Sequence, residues 1–167
     1  MKNSIIARKI IAIESHPKNF DLLAKNLIIN NIKNVKPFKF ALTDRDGSLV
    51  LYGSGGSASI KEDFNNEEKH LVNTTTLDNI CRKFKKIDLI KIDVEGAEDL
   101  VLKGGETILD RTREIILEVH NRYVMKENIV KFLIKKGFDI REMSSRIEET
   151  SILFCRKNKA SIREKKQ

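Results

Sequence analysis

The sequence predicts a doubly wound α/β domain, a mostly parallel sheet with helices on both faces, and three observations carry that expectation. The apolar run at residues 10–13 is continuous rather than alternating, the pattern of a strand covered on both sides, and 87–93 and 114–119 are further strand-like segments rich in Ile, Leu and Val. Segments of helical periodicity lie between them, so that strand and helix alternate along the chain. Acids or their neighbours stand at the ends of four strands: Glu14, the 41–44 stretch, Asp93 with Glu95, and Glu118 with His120. In open α/β sheets the crevice beyond the carboxyl ends of the strands is where ligands bind.

Taken in order, residues 9–14 (Lys-Ile-Ile-Ala-Ile-Glu) form the first strand. Ser15 or His16 can cap a helix that begins at Pro17, where a missing N–H costs nothing. Phe20, Leu23, Ala24, Leu27 and Ile28 then recur at the spacing of one buried helical face, and Asn30-Asn31 end it. Residues 35–42 read as a second strand, 43–47 as a turn with Asp46-Gly47 at its tip, and 48–52 as the return strand of a hairpin. The stretch 53–59, Gly-Ser-Gly-Gly-Ser-Ala-Ser, reads as a mobile loop. It lacks the lysine and the strand-to-helix context that a phosphate cradle requires.

Thr76 or Asp78 starts a short helix carrying Leu77, Ile80, Cys81 and Phe84, and residues 87–93 form a strong strand. Gly96-Ala97 opens a helix that runs to about Leu102 and breaks at Gly104-Gly105, with Ile108 and Leu109 on a short helix or turn beyond. Residues 114–119 are a strand ending at His120. Ile129, Phe132 and Leu133 mark a helix that Gly137 caps, and 138–143 with 151–155 form a closing antiparallel pair.

The 167 residues suffice for one domain with a real core. That domain is expected to occupy residues 1–155, with a basic tail at 156–167. The tail's six Lys and Arg against Glu164 contribute +5, leaving +3 of the net +8 for the rest. With no aromatic side chain among the tail's charges, the base-stacking platform of a single-strand binder is missing, which argues against nucleic acid as the main partner. No apolar run approaches the ~20 residues of a spanning helix, and no signal-peptide core is present. Cys81 and Cys155 are far apart and set in apolar surroundings, so they read as buried reduced thiols in a cytosolic protein.

The strand ends supply the candidate chemistry. Glu14 stands where a Rossmann-type domain places the acid that accepts hydrogen bonds from ribose hydroxyls. Asp93 and Glu95 lie where a strand runs straight into a helix through Gly96, while Glu98 is expected only to lend negative charge to the first helical turn. Glu118 and His120 share one face at the next strand's end. Asp93, Glu118 and His120 offer the oxygen and imidazole ligands a divalent metal takes, but their spacing specifies none, and no metal is expected.

These residues resemble the FkbM family of methyltransferases. The likeness rests on Thr75-Thr76-Leu77-Asp78, on Ile87-Asp88-Leu89-Ile90-Lys91-Ile92-Asp93-Val94-Glu95-Gly96-Ala97-Glu98, on Val101-Leu102-Lys103-Gly104-Gly105 and on Ile115-Ile116-Leu117-Glu118-Val119-His120. Upstream, residues 12–20 and 40–47 follow the same pattern, so the resemblance spans about residues 9 to 155. It implies the Rossmann-like class I methyltransferase sheet, S-adenosyl-L-methionine as cofactor, and methyl transfer to a hydroxyl oxygen of a small-molecule or glycan acceptor. It implies Glu14 as the ribose-binding acid with Ser15 beside it, Ala41 and Leu42 near the adenine, and Asp93 beside the methyl donor and acceptor. Asp93, Glu118 and His120 are the expected catalytic residues, His120 foremost as base because its ordinary pKa lies nearest neutrality.

One departure qualifies the resemblance. The family's first strand and glycine-rich turn should precede Glu14, yet only thirteen residues do so and none is glycine. The chain is therefore expected to begin inside the domain, without the central strand of the sheet. A non-catalytic remnant or interaction module with the same fold is the alternative to an enzyme.

Overall fold

The computed structural model describes residues 8–53, 58–60, 68–143 and 149–158. Residues 54–57 of the expected 53–59 loop and residues 159–167 of the expected tail lie outside the described residues. The fold is of the α/β methyltransferase type, with the described strands hydrogen-bonded as three sheets rather than one continuous sheet.

Strand β1 (Ile10–Ile13) pairs in parallel with β2 (Val35–Phe38), Ile10 opposite Val35 and Ile13 opposite Phe38, with α1 (Pro17–Ile29) as the crossover. Pro37, which has no N–H for a ladder, fits an edge strand. Next come β3 (Ala41–Leu42), β4 (Gly47–Tyr52) and β5 (Lys69–Thr75), in spatial order β3-β5-β4. After α2 (Leu77–Cys81) the second half begins with β6 (Ile87–Ile92), α3 (Glu98–Lys103), α4 (Glu106–Leu109) and β7 (Thr112–His120). It closes with α5 (Lys126–Lys135), β8 (Phe138–Met143) and β9 (Thr150–Lys157), in sheet order β6-β7-β9-β8. β6 and β7 run parallel and β8 and β9 antiparallel, as the sequence predicts.

The core sits around β7. Ile115, Leu117 and Val119 on one face are fully buried, and they pack in one cluster with Val101, Leu109, Leu133, Leu153 and Cys155. The alternate residues Glu114, Ile116, Glu118 and His120 are half-buried on the other face. This period of two puts Glu118 and His120 side by side.

Caps fix the short helices. Thr76 is the N-cap of α2, its hydroxyl accepting the Asn79 N–H at 3.1 Å. Asp78 caps a different helix: its two carboxylate oxygens accept from Thr107 N–H (3.0 Å) and Ile108 N–H (2.7 Å), the unpaired donors of α4.

The first half departs from the sequence expectation. β1 is not covered on both faces: none of its residues is fully buried, and its strand partner among the described residues is β2 alone. The predicted face of α1 is likewise shallow, with Phe20, Leu23, Ala24 and Leu27 half-buried and Ile28 79% exposed, because two strands offer a helix little surface to cover. Residues 35–42 are two strands in different sheets, and the expected hairpin with 48–52 is absent. β4 instead pairs antiparallel with β5, Gly47 opposite Thr74 and Tyr52 opposite Lys69, while β3 pairs parallel with β5. The turn at 43–47 is held by that neighbour: Asp46 Oδ1 accepts from Thr75 Oγ1 (2.8 Å) and from Asn79 Nδ2 (3.0 Å).

The last strand also runs further than the sequence reading placed it, taking Arg156 and Lys157 out of the tail. Lys157 is 6% exposed, and its ammonium donates to the carbonyls of Leu109 (3.1 Å) and Lys136 (2.6 Å) above the Phe138 ring. Arg156 pairs with Glu114 across the β7–β9 ladder at 2.8 Å.

Gly104 ties the halves together. It ends α3, its carbonyl accepts the Asp78 N–H at 3.0 Å, and a Cβ there would run into the backbone carbonyl oxygen of Thr43. Gly104→Ala should therefore destabilise the fold by about 1–3 kcal/mol or more, since backbone cannot give way as a side chain does, and urea denaturation reads the loss. Lys157→Met keeps most of the apolar stem but removes the charged donor, and the same assay should show a loss of about 2 kcal/mol.

Candidate active site

The site is built on the passage from β6 into α3. Beyond Ile92 the chain runs through Asp93 and Val94 and then turns at Glu95 (φ 53°) and Gly96 (φ 99°). Both lie in the left-handed region, which glycine enters freely and glutamate does not, so the surroundings must hold Glu95 there. Three contacts do so. Ser59 Oγ donates to the Glu95 carbonyl at 2.5 Å. The Tyr123 ring lies against Gly96 so closely that a Cβ would stand 2.7 Å from it. The Gly96 N–H donates to Glu98 Oε1 at 2.9 Å.

Glu98, the first residue of α3, is completely buried. The oxygen that accepts from Gly96 also accepts from His120 Nδ1 at 2.7 Å, which makes Nδ1 the protonated nitrogen. Glu98 Oε2 has no hydrogen-bond partner among the described residues. His120 ends β7, and its Nε2 lies 3.2 Å from Glu95 Oε2. The imidazole thus stands between two carboxylates, one buried and one half-exposed.

Burial works against the imidazolium. The hydrogen bond to Glu98 and the charges of Glu98, Glu95 and Asp93 together outweigh it, so the His120 pKa lies above the ordinary 6.5. Burial raises the Glu95 pKa; His120 pulls it back, while Asp93, Glu118 and Glu98 push it further up. Both shifts run in the direction that favours proton uptake by the His120–Glu95 pair.

The structure brings all three expected catalytic residues together: one ligating atom each from Asp93, Glu118 and His120 falls within 4.8 Å of the others. Both His120 nitrogens already face carboxylates, and Asp93 is paired with Lys91 at 2.7 Å, so the group is arranged to hold a proton. Of the expected cofactor residues Asp93 belongs to this cluster, while Glu14, Ser15, Ala41 and Leu42 lie on other elements. Glu14 follows β1, its backbone N–H bonded to the Phe38 carbonyl and its Oε1 accepting the His16 N–H at 2.8 Å. Ser15 sits half-buried beside it, and Ala41 and Leu42 form β3, Ala41 buried. No hydrogen bond or ion pair among the described residues joins Glu14 or Ser15 to Asp93, Glu118 or His120.

Sequence reasoning missed the role of Glu98. It does lie in the first turn of α3, as expected, but a helix-terminal acid is ordinarily exposed, and nothing in its spacing announces that this one is buried against a histidine 22 positions later. Glu95 was legible only as a strand-end acid.

Since the folded-state pKa of His120 is raised, its pairing stabilises the fold fully below the unfolded value near 6.5 and loses that contribution as pH rises through the folded value. Proton NMR titration of the His120 ring should give a pKa above 6.5 in the native chain and a lower one in Glu98→Gln. An unchanged midpoint in that variant would contradict the electrostatic account.

The Methyltransferase FkbM domain model matches residues 5–140. Methyltransferase sdnD from Sordaria araneosa is 28% identical over 176 residues, covering 84% of this chain and 68% of that protein. The 2-O-methyltransferase NoeI from Sinorhizobium fredii is 31% identical over 107 residues, covering 52% of this chain and 44% of its own length. Hexuronic acid methyltransferase AglP from Haloferax volcanii is 27% identical over 113 residues, with 66% and 47% covered. Among solved structures, methyltransferase FkbM from Methylobacillus flagellatus superposes with a TM-score of 0.65 at 14% identity, covering 88% of this chain and 36% of that one. The chain thus spans about two thirds of sdnD, under half of NoeI and AglP, and about a third of the solved structure. With the family match extending over most of its residues, the chain belongs to the FkbM methyltransferase family.

Proposed function

We propose that this chain carries the acceptor-activating side of an S-adenosyl-L-methionine-dependent O-methyltransferase, and that it methylates a hydroxyl of a small-molecule or glycan acceptor. The observation that carries the proposal is His120, held at Nδ1 by a buried carboxylate at 2.7 Å and flanked by Asp93 and Glu118. A buried acid behind one imidazole nitrogen fixes the ring and favours proton uptake at the other. The acceptor class follows the relatives, two of which are by name a 2-O-methyltransferase and a hexuronic acid methyltransferase.

S-adenosyl-L-methionine, when bound, supplies an electrophilic methyl group on a positively charged sulfur. The residues present suit such a molecule. The Glu14 carboxylate spends Oε1 on the His16 N–H, and its remaining acceptor capacity matches a ribose diol, with Ser15, Ala41 and Leu42 completing the nucleoside side. Asp93, Glu95 and Glu118 give the crevice the negative sign a sulfonium favours.

In this mechanism Asp93 and Glu118 orient the acceptor by accepting hydrogen bonds from its hydroxyls. His120 Nε2 takes the proton of the reacting hydroxyl, and Glu98 stabilises the imidazolium that results. Glu95 must first yield Nε2, which its half-exposed side chain is free to do by rotating toward solvent. Much of the rate then comes from alignment, because displacement at a methyl carbon requires nucleophile, carbon and leaving group in line. No described helix is long and apolar enough to cross a membrane. The Cys81 and Cys155 thiols are buried and pushed up to about 11 and about 12, which suits a reducing, cytosolic setting.

Calorimetry with S-adenosyl-L-methionine tests the binding half of the proposal, and absence of heat would favour a non-catalytic module. Methyl transfer to a panel of sugar hydroxyls tests the chemical half. His120→Ala should lower kcat by about 10²–10⁴-fold with KM little changed, and full turnover in that variant would remove His120 as the base.

A further inference from the structure

A second constellation takes no part in this chemistry. The chain has only three histidines, and the fold brings two of them, His16 and His70, into contact. His16 is the N-cap residue of α1, yet its side chain makes no capping hydrogen bond. His70 is the second residue of β5. Their rings meet edge to face with centroids 4.6 Å apart. Glu68 stands just before the strand, its Oε1 3.1 Å from His70 Nε2. One ligating atom each from His16, Glu68 and His70 lies within 4.8 Å of the others.

His16 makes this more than a surface cluster. It is 1% exposed, and neither ring nitrogen has a hydrogen-bond partner among the described residues. A buried imidazole with both nitrogens unpaired is uncommon, because each gives up a hydrogen bond to water without replacement. An apolar ring would fill the same place without that loss. One of the His16 ring nitrogens lies within 4.8 Å of a ligating atom of Glu68 and of His70, so a cation among them would supply the missing partner.

We propose that His16, Glu68 and His70 form a binding site for Zn²⁺ or a similar divalent transition metal, separate from the acidic cluster around His120. Two imidazoles and one carboxylate are the donors such an ion prefers, whereas Ca²⁺ and Mg²⁺ ask for oxygen throughout. The neutral imidazole is the form that ligates, and burial of His16 disfavours its charged form. Lys18 holds the same Glu68 oxygen at 2.6 Å from a side chain that is 71% exposed, so it competes with the metal and withdraws to solvent when the metal binds. The fourth ligand of a tetrahedral ion would be water. The site joins the β1–α1 junction to β5, two parts of the molecule whose sheets share no strand ladder, and its role is that of a structural clamp.

The test is a titration of chelator-treated protein with Zn²⁺ by calorimetry, with Co²⁺ absorption reporting ligand type and Tm reporting stability. One ion per chain and a Tm raised by several degrees are expected. His70→Ala should weaken binding by at least the roughly 10–100-fold that loss of even an outer-shell partner costs, Glu68→Gln should weaken it too, and Lys18→Ala should strengthen it. His16→Ala should abolish it, and should that variant fail to fold, His70→Ala at a half-buried position decides. Absence of a bound ion, or binding that survives His70→Ala but is lost in His120→Ala, would overturn the proposal.

Discussion

A carboxylate with no access to water has to be met by protein donors, and Glu98 imposes that requirement on everything around it. Its two donors come from different elements: the Gly96 N–H from the turn after β6, and His120 Nδ1 from the end of β7. Meeting both forces the chain through two left-handed residues in succession, and Tyr123 closes over the turn that results. The strained backbone at Glu95 is the cost of delivering its side chain to the other imidazole nitrogen. The turn that carries Glu95 and the end of β7 that carries His120 meet at Glu98 because a buried carboxylate needs donors there.

The rigidity behind this arrangement is unevenly distributed. β7 has strand neighbours on both sides and a fully buried face, so the residue at its end is held by the main core of the molecule. The first half is shallower. β1 and β2 pair only with each other among the described residues, and α1 has no fully buried residue. The expected proton-handling groups thus lie on the well-packed half, and the expected nucleoside-binding residues Glu14 and Ser15 on the lightly packed one. The proposed metal clamp acts across that weaker region, where a few ligand bonds would add most relative to local packing.

Legibility in the sequence followed the range of the interactions involved. α1 was readable from Pro17, α2 from Thr76 and the end of α5 from Gly137, because caps and helix starts depend on residues a few positions apart. β6, β7, β8 and β9 were readable from apolar runs with turn residues between them. β5 was missed, since Lys69-His70-Leu71-Val72-Asn73-Thr74-Thr75 is too polar to stand out and its stability comes from pairing with both β3 and β4. The false hairpin came from the same gap: an Asp-Gly turn between two strand-like runs fits a hairpin locally, and only the presence of β5 redirects both. Lys157 reads as tail because its sequence neighbours are basic, while its ammonium is spent on two carbonyls far away in the chain.

By itself the sequence determined the fold class, the family and the identity of the strand-end residues Asp93, Glu118 and His120, because period, caps and motif order are local properties that survive being read in one dimension. Tertiary structure alone decided that Glu98 is buried and paired with His120, that Glu95 is held in a left-handed turn, and that His16 and His70 touch. Burial and long-range pairing depend on which elements meet in space, and residues that meet only through the fold leave no mark in their spacing along the chain.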